Sequence, residues 1–181
     1  MSFLIALTVF VGLLCALDLV LTLGVIKRLR EHTALLAKGS QPARPAIQVG
    51  ESVGRFMATT VDGAPLEPGS LHGETLVGFF SPTCRPCQEK LPQFAAYAAA
   101  RSGGRDGVLA VVVTEEDDAA EFVAALSPVA RVVVEGRQGP VGTAFMAHSF
   151  PTMLTVESAD EGTLVVTDTR VTLDIPAATS V

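Results

Sequence analysis

The chain has 181 residues, enough for one globular domain and an additional segment. A net charge of -6, without a basic stripe interleaved with aromatics, excludes nucleic acid as an electrostatically recruited partner. Three cysteines, Cys15, Cys84 and Cys87, are too few for a disulfide-stapled secreted scaffold.

Taken in chain order, the first element is apolar. Phe3 to Ile26 reads FLIALTVFVGLLCALDLVLTLGVI and carries one charge, Asp18. At ~1.5 Å per residue a helix of this length crosses a ~30 Å hydrocarbon core with some tilt. A cleaved signal peptide fits less well, because the stretch is too long, no basic region precedes it and no A-x-A site follows closely. A lipoprotein site at Cys15 fails because Leu14 stands where a small residue is needed. Residues 1–28 are therefore expected to form a transmembrane anchor, with residues 3–26 in contact with the membrane. An ionised Asp18 at mid-bilayer costs about 2.5–3.5 kcal/mol, which protonation or a partner helix relieves. Cys15 reads as a small apolar residue within the span. Lys27, Arg28 and Arg30 come after the span and no Lys or Arg precedes it, so the positive-inside rule places the C-terminal domain in the cytoplasm.

Residues 29–46 read as a linker. Pro42 and Pro45 lack amide donors and push their neighbours toward extended backbone, a composition suited to a spacer. Residues 47–181 form the expected domain. Gly54 to Thr60 suggests a first strand, followed by a turn at Asp62-Gly63. Thr75 to Phe80 is a short apolar run of the buried-strand kind. From Cys84 to about Arg101 the pattern is helical, with Leu91, Phe94, Ala95 and Ala98 on one face. Val108 to Thr114 is a second central strand. The acidic run Glu115 to Asp118 suits the first turn of a helix that turns apolar through Phe122, Val123 and Leu126. Arg131 to Glu135 reads as a strand, Val141 to Ala147 as a short helix, and Met153 to Val156 with Leu164 to Thr167 as a closing hairpin. Strands alternating with helices predict an α/β fold, with a mostly parallel sheet finished by antiparallel strands.

The chemistry is concentrated in Cys84-Arg85-Pro86-Cys87. A C-x-x-C pair that opens a helix just after a buried strand is a redox arrangement. The first sulfur meets unpaired amides and the positive end of the helix dipole, which favour a thiolate, and the second lies one turn in and is shielded. Cys84 is the expected nucleophile toward a disulfide, and Cys87 the group that then displaces the captured sulfur. Arg85 places a permanent cation beside the nucleophile, and Pro86 suits and stiffens a first helical turn. Zinc is disfavoured because a site wants four ligands, and His72 and His148 are isolated. A static disulfide across so short a loop would stabilise little. Phe150-Pro151-Thr152, just before a predicted strand, is the second half of the pattern. Cys84, Cys87 and Pro151 are the expected catalytic residues, and Arg85, Pro86, Phe150 and Thr152 the expected substrate-binding or tuning ones, with no metal and no cofactor.

The run VGESVGRFMATTVDGAPLEPGSLHGETLVGFFSPTCRPCQEKLP, residues 49–92, resembles the membrane-anchored thioredoxin-like proteins of the TlpA/ResA type. It has a Val-Gly lead, an Asp-Gly turn, a Leu-x-Gly loop, an apolar strand, CxxC and a helix proline, Pro92. Phe150-Pro151-Thr152 matches that family's cis-proline loop, and the similarity spans about residues 47–168. Ser81-Pro82-Thr83-Cys84 is also similar to MauD-type proteins, which help mature methylamine dehydrogenase. The resemblance implies a thioredoxin fold, a central mixed sheet flanked by helices with a TlpA-like strand–helix insert. It also implies a membrane-tethered disulfide reductase or isomerase facing the outside of the cytoplasm, against the positive-inside reading. Its partners would be a client protein with a disulfide or dithiol and a membrane electron-donor protein.

The chain departs from that pattern in several places. Thr83 and Phe80 occupy the usual aromatic positions. Gly78 stands where thioredoxins carry a buried Asp, so the usual proton acceptor for the second cysteine is missing. Lys90 replaces a common Glu, and Leu173 to Val181 does not read as a closing helix. A maturation or assembly factor that holds a client on the same fold is the alternative from a different class. A peroxiredoxin would need Pro and Thr where Val77 and Ser81 stand. A copper carrier would need a wider cysteine spacing and a partner histidine.

Overall fold

The structure is a computed structural model that describes residues 46–116, 118–159 and 162–173, together with Leu7, Phe10, Gly12 and Leu13, which are helical. The chain divides into two units, Met1–Arg44 and Pro45–Val181. Of the expected anchor only those four positions fall among the described residues, and no described helix is long and apolar enough to cross a membrane.

The second unit is built on a five-stranded sheet. In chain order its strands are β3 (Glu74–Phe80), β4 (Val108–Val113), β5 (Arg131–Glu135), β6 (Thr152–Ser158) and β7 (Leu164–Asp168). The spatial order is β5-β4-β3-β6-β7. β3 pairs parallel with β4, and β4 parallel with β5. β6 pairs antiparallel with β3, and β7 antiparallel with β6. The mixed sheet expected from the sequence is thus present, with the parallel half first and the hairpin last. Among the described residues three α-helices connect it: α1 (Arg85–Ala99), α2 (Ala120–Leu126) and α3 (Pro140–Ala144).

The central strands are apolar on both faces because both faces are covered. Val77 and Phe79 of β3 and Leu109, Val111 and Val113 of β4 enter one core with Phe56, Val141 and Phe145. Leu76 and Phe80, with Val108, Ala110 and Val112, enter the other, which α1 closes through Cys87, Leu91, Phe94 and Ala98. That spacing of four, three and four is the helical stripe visible in the sequence. Each fully buried Phe or Leu contributes about 1.5–3 kcal/mol. Both sheet edges are partly covered. Residues 50–53 run along β7, with Gly50 N–H to Val166 O at 2.8 Å and Val53 N–H to Leu164 O at 2.8 Å. Val61 N–H reaches Val132 O on β5 at 2.8 Å.

Two details differ from expectation, and a third expectation falls outside the described residues. The first strand is only β1 (Ala58–Thr59), paired with β2 (Pro65–Leu66) in a separate small ribbon, since Gly54 to Met57 makes no ladder. The acidic run is not a helix start. α2 begins at Ala120 with Glu121 in its first turn, while Thr114 Oγ1 donates to Asp118 Oδ1 at 2.5 Å and Glu115 Oε1 accepts the Arg137 N–H at 2.7 Å. These side-chain bonds hold a bend in place of a helical turn. Finally, Val171 and Leu173 pack against the α1 side of the sheet, and the segment expected to lack a closing helix lies outside the described residues from 174 onward.

Candidate active site

β3 ends at Phe80, and the chain turns through Ser81-Pro82-Thr83 into α1. Three bonds fix that turn. Cys84 N–H donates to Ser81 O at 3.0 Å, Cys87 N–H to Cys84 O at 3.0 Å, and the Gln88 side-chain amide to Pro82 O at 2.7 Å. Cys84 is the extended N-cap residue of α1 (φ -93°, ψ 111°), with Arg85 and Pro86 as its first helical residues. Pro at the second helical position costs no hydrogen bond, because the first amides of a helix have no carbonyl partner. Gln88, four residues on from Cys84, is a contributor that the sequence does not announce. The only sequence signal for it is that i+4 spacing.

Cys84 is half-buried and Cys87 is fully buried; neither is in a disulfide. The Cys84 thiol donates to the carbonyl oxygen of Phe150 at 3.3 Å, across 66 positions of sequence. This contact joins the two halves of the sequence pattern. The Phe150–Pro151 peptide bond is cis. Phe150, Pro151 and Thr152 are half-buried, and the Thr152 hydroxyl donates to Ser149 O at 2.6 Å. Phe150 packs against both cores and so pins the loop to the body of the domain.

The environment of Cys87 is apolar and close. Ser81 N–H reaches its sulfur at 3.5 Å. Burial pushes the Cys87 thiol up to about 12, a hydrogen bond with the Cys84 side chain adds to this, and the Ser81 N–H pulls the other way. Gly78 lies in the same core. A Cβ there would stand 2.8 Å from ring carbons of both Phe80 and Phe94, whose rings meet edge-to-face at 4.9 Å. The aromatic pair therefore occupies the space that any side chain at 78 would need, a carboxylate included.

Arg85 lies on the exposed surface of α1. Its side chain is 87% exposed and its Nε donates to Glu89 Oε1 at 3.1 Å, one helical turn along. An exposed pair of this kind is screened by solvent. Pro86 is exposed at the mouth of α1. Pro92, within α1, lacks the N–H that would answer the Gln88 carbonyl. Among the described residues no three His, Cys, Asp or Glu side chains come together as metal ligands would.

No protein-family model matches the chain, and no curated protein does. Solved structures do. The structure of MTB DsbF, in mixed oxidised and reduced forms, is 23% identical with a TM-score of 0.53, covering 65% of this chain and 87% of that one. A domain of a "possible thiol-disulfide isomerase" from Cytophaga hutchinsonii is 12% identical with a TM-score of 0.54, covering 72% and 88%. The thioredoxin domain of a thiol-disulfide oxidoreductase from Bacteroides vulgatus is 16% identical with a TM-score of 0.50, covering 66% and 87%. The fold is thioredoxin-like. At these identities the likeness fixes the path of the backbone, and the chemistry rests on the side chains described above.

Proposed function

We propose that this chain is a thiol–disulfide oxidoreductase that acts on protein disulfides through Cys84 and Cys87. One observation carries this reading. A half-exposed cysteine at a helix mouth has a second, buried cysteine in the next turn, whose N–H donates to the first one's carbonyl, and has the Phe150 carbonyl against its own sulfur. The thiolate of Cys84 attacks one sulfur of a client disulfide. A Cys84–client bond forms, the client S–S bond breaks, and the other client sulfur leaves as a thiolate that takes up a proton. Cys87, having lost its proton, attacks Cys84 Sγ, which forms the Cys84–Cys87 disulfide and releases the second client thiolate. The client gains two electrons and the protein's dithiol loses them; run backwards, the same steps oxidise a dithiol. Phe150, Pro151 and Thr152 supply the ledge along which a client strand pairs.

The finer reading is a membrane-tethered reductase or isomerase of the TlpA/ResA type, near the MauD-like subgroup. The apolar run 3–26 serves as its anchor, the domain faces outside the cytoplasm, and a membrane electron donor recharges it. The run of family-like residues from 49 to 92 supports this, and so does the use of such a domain where disulfides persist. Lys27, Arg28 and Arg30 oppose the orientation, and a topology reporter fused after Val181 decides it. The test of the activity is a trap. Cys87→Ser should accumulate a client joined to Cys84, and ordinary alkylation at Cys84 with no captured client would reject the proposal.

A second reading has its own support. The closed space at Gly78 leaves no room for a carboxylate beside Cys87, so the usual base for a resolving step is absent, which suits a factor that holds its client by non-covalent contact. Cys84→Ala separates the two, because a scaffold keeps working without that sulfur.

A further inference from the structure

Glu135 closes β5 at the end of the sheet where β4 also ends, and its side chain turns away from strand pairing. Oε2 accepts the Val141 N–H at 3.1 Å and Oε1 the Gly142 N–H at 2.6 Å, so both oxygens are committed to backbone amides of α3. Burial pushes this carboxyl up, against the pull of the two amides. The same two residues pass the restraint forward. Val141 O accepts the Phe145 N–H at 3.0 Å, and Gly142 O accepts the Ala147 N–H at 2.9 Å. Three residues beyond Ala147 is Phe150, whose carbonyl touches Cys84. A Cβ on Gly139 would overlap the Glu135 carboxylate, so this glycine keeps the side chain's path open. By contrast, Cys84 and Cys87 are set by β3 and α1, to which Glu135 makes no hydrogen bond among those described.

We propose that Glu135 is a positioning residue for the client-binding ledge: its carboxylate holds α3, and α3 holds the loop that carries Phe150 and Pro151. This rests on the oxidoreductase reading and extends it, separating the residues that react from those that present the client. Loosening the clamp degrades recognition of an extended client and leaves the two sulfurs in place.

The experiment uses the full chain in detergent, kept reduced by glutathione with glutathione reductase and NADPH, with two substrates, bis(2-hydroxyethyl) disulfide and a ten-residue peptide carrying a mixed disulfide. Two variants disturb the clamp independently. Glu135→Gln turns a donor toward one of the amides, and Gly139→Ala displaces the carboxylate without altering it. For both, KM for the peptide should rise about tenfold with kcat within about twofold, a loss of roughly 1.4 kcal/mol of client binding. Turnover of the small disulfide should stay within about twofold. Equal losses on both substrates, or an unchanged peptide KM in either variant, would overturn the inference while leaving the oxidoreductase reading intact. A wild-type chain inert toward both disulfides would overturn that reading and the inference with it.

Discussion

The buried thiol of Cys87 makes the second chemical step the pH-sensitive one. A cysteine's ordinary value is 9.0, and burial with the nearby Cys84 sulfur pushes this one to about 12. At pH 7.5 a group at about 12 is thiolate in roughly one molecule in 30,000, whereas one at 9.0 is thiolate in about one in 30. Once Cys84 is joined to a client, its own contributions fall away, but burial is the largest cause and stays. The perturbation is therefore a pH change, and the range from 9 to 10 discriminates. A thiol still far below its midpoint gains about tenfold in thiolate over that unit, and one at 9.0 gains only about twofold. The assay is 5,5′-dithiobis(2-nitrobenzoate) added to the reduced protein. The first chromophore released reports attack by Cys84, and the second reports its displacement by Cys87. The rate of second release should keep rising steeply through pH 10. A rate that levels off with a midpoint near 9 would refute the argument, since it would mean that burial does not control this sulfur. The sign for stability comes from the same shift. A raised value in the folded protein stabilises the reduced domain fully below about 9 and is lost as pH climbs toward 12.

Two substitutions probe the surroundings of the site. Gly78→Ala forces a methyl against Phe80 and Phe94 and should cost about 1–3 kcal/mol, read as a Tm lowered by several degrees; an unchanged Tm would mean that the rings yield freely. Arg85→Ala removes an exposed ion pair with Glu89 and should change stability by less than about 1 kcal/mol and disulfide exchange by less than about twofold. A larger loss in exchange would restore the guanidinium to the role that the sequence suggests for it.

Much of this is visible in the sequence because local patterns and global fold agree. The apolar run ending at Phe80, the stripe Leu91, Phe94 and Ala98, and the strand Arg131–Glu135 have the periods of the elements they form. The cysteine pair is legible because spacing and placement are themselves the chemistry. Arg85 is legible as a cation next to the pair, but proximity in sequence leaves open what a guanidinium bonds to; here a glutamate one turn away accepts from it. The acidic run misleads for a related reason. Glu115 and Asp118 satisfy backbone and hydroxyl donors in a bend, an outcome that composition alone cannot separate from a helix start. Gly78 reads in the sequence as a missing base, but the aromatic rings that close off its space come from β3 itself and from α1 and require the fold. Glu135 gives no signal, because its partners are backbone amides of a helix six and seven residues ahead.

The central claim is that Cys84 and Cys87 interconvert reversibly between a dithiol and a disulfide with each other. Equilibrating the chain across a series of reduced-to-oxidised glutathione ratios, then alkylating and weighing it, tests that claim most directly. One two-electron transition is expected, in which both sulfurs become protected together, and Cys87→Ser should leave only a glutathione adduct at Cys84. Sulfurs that stay independently alkylated at every ratio, or an adduct that wild-type Cys87 never displaces, would contradict it.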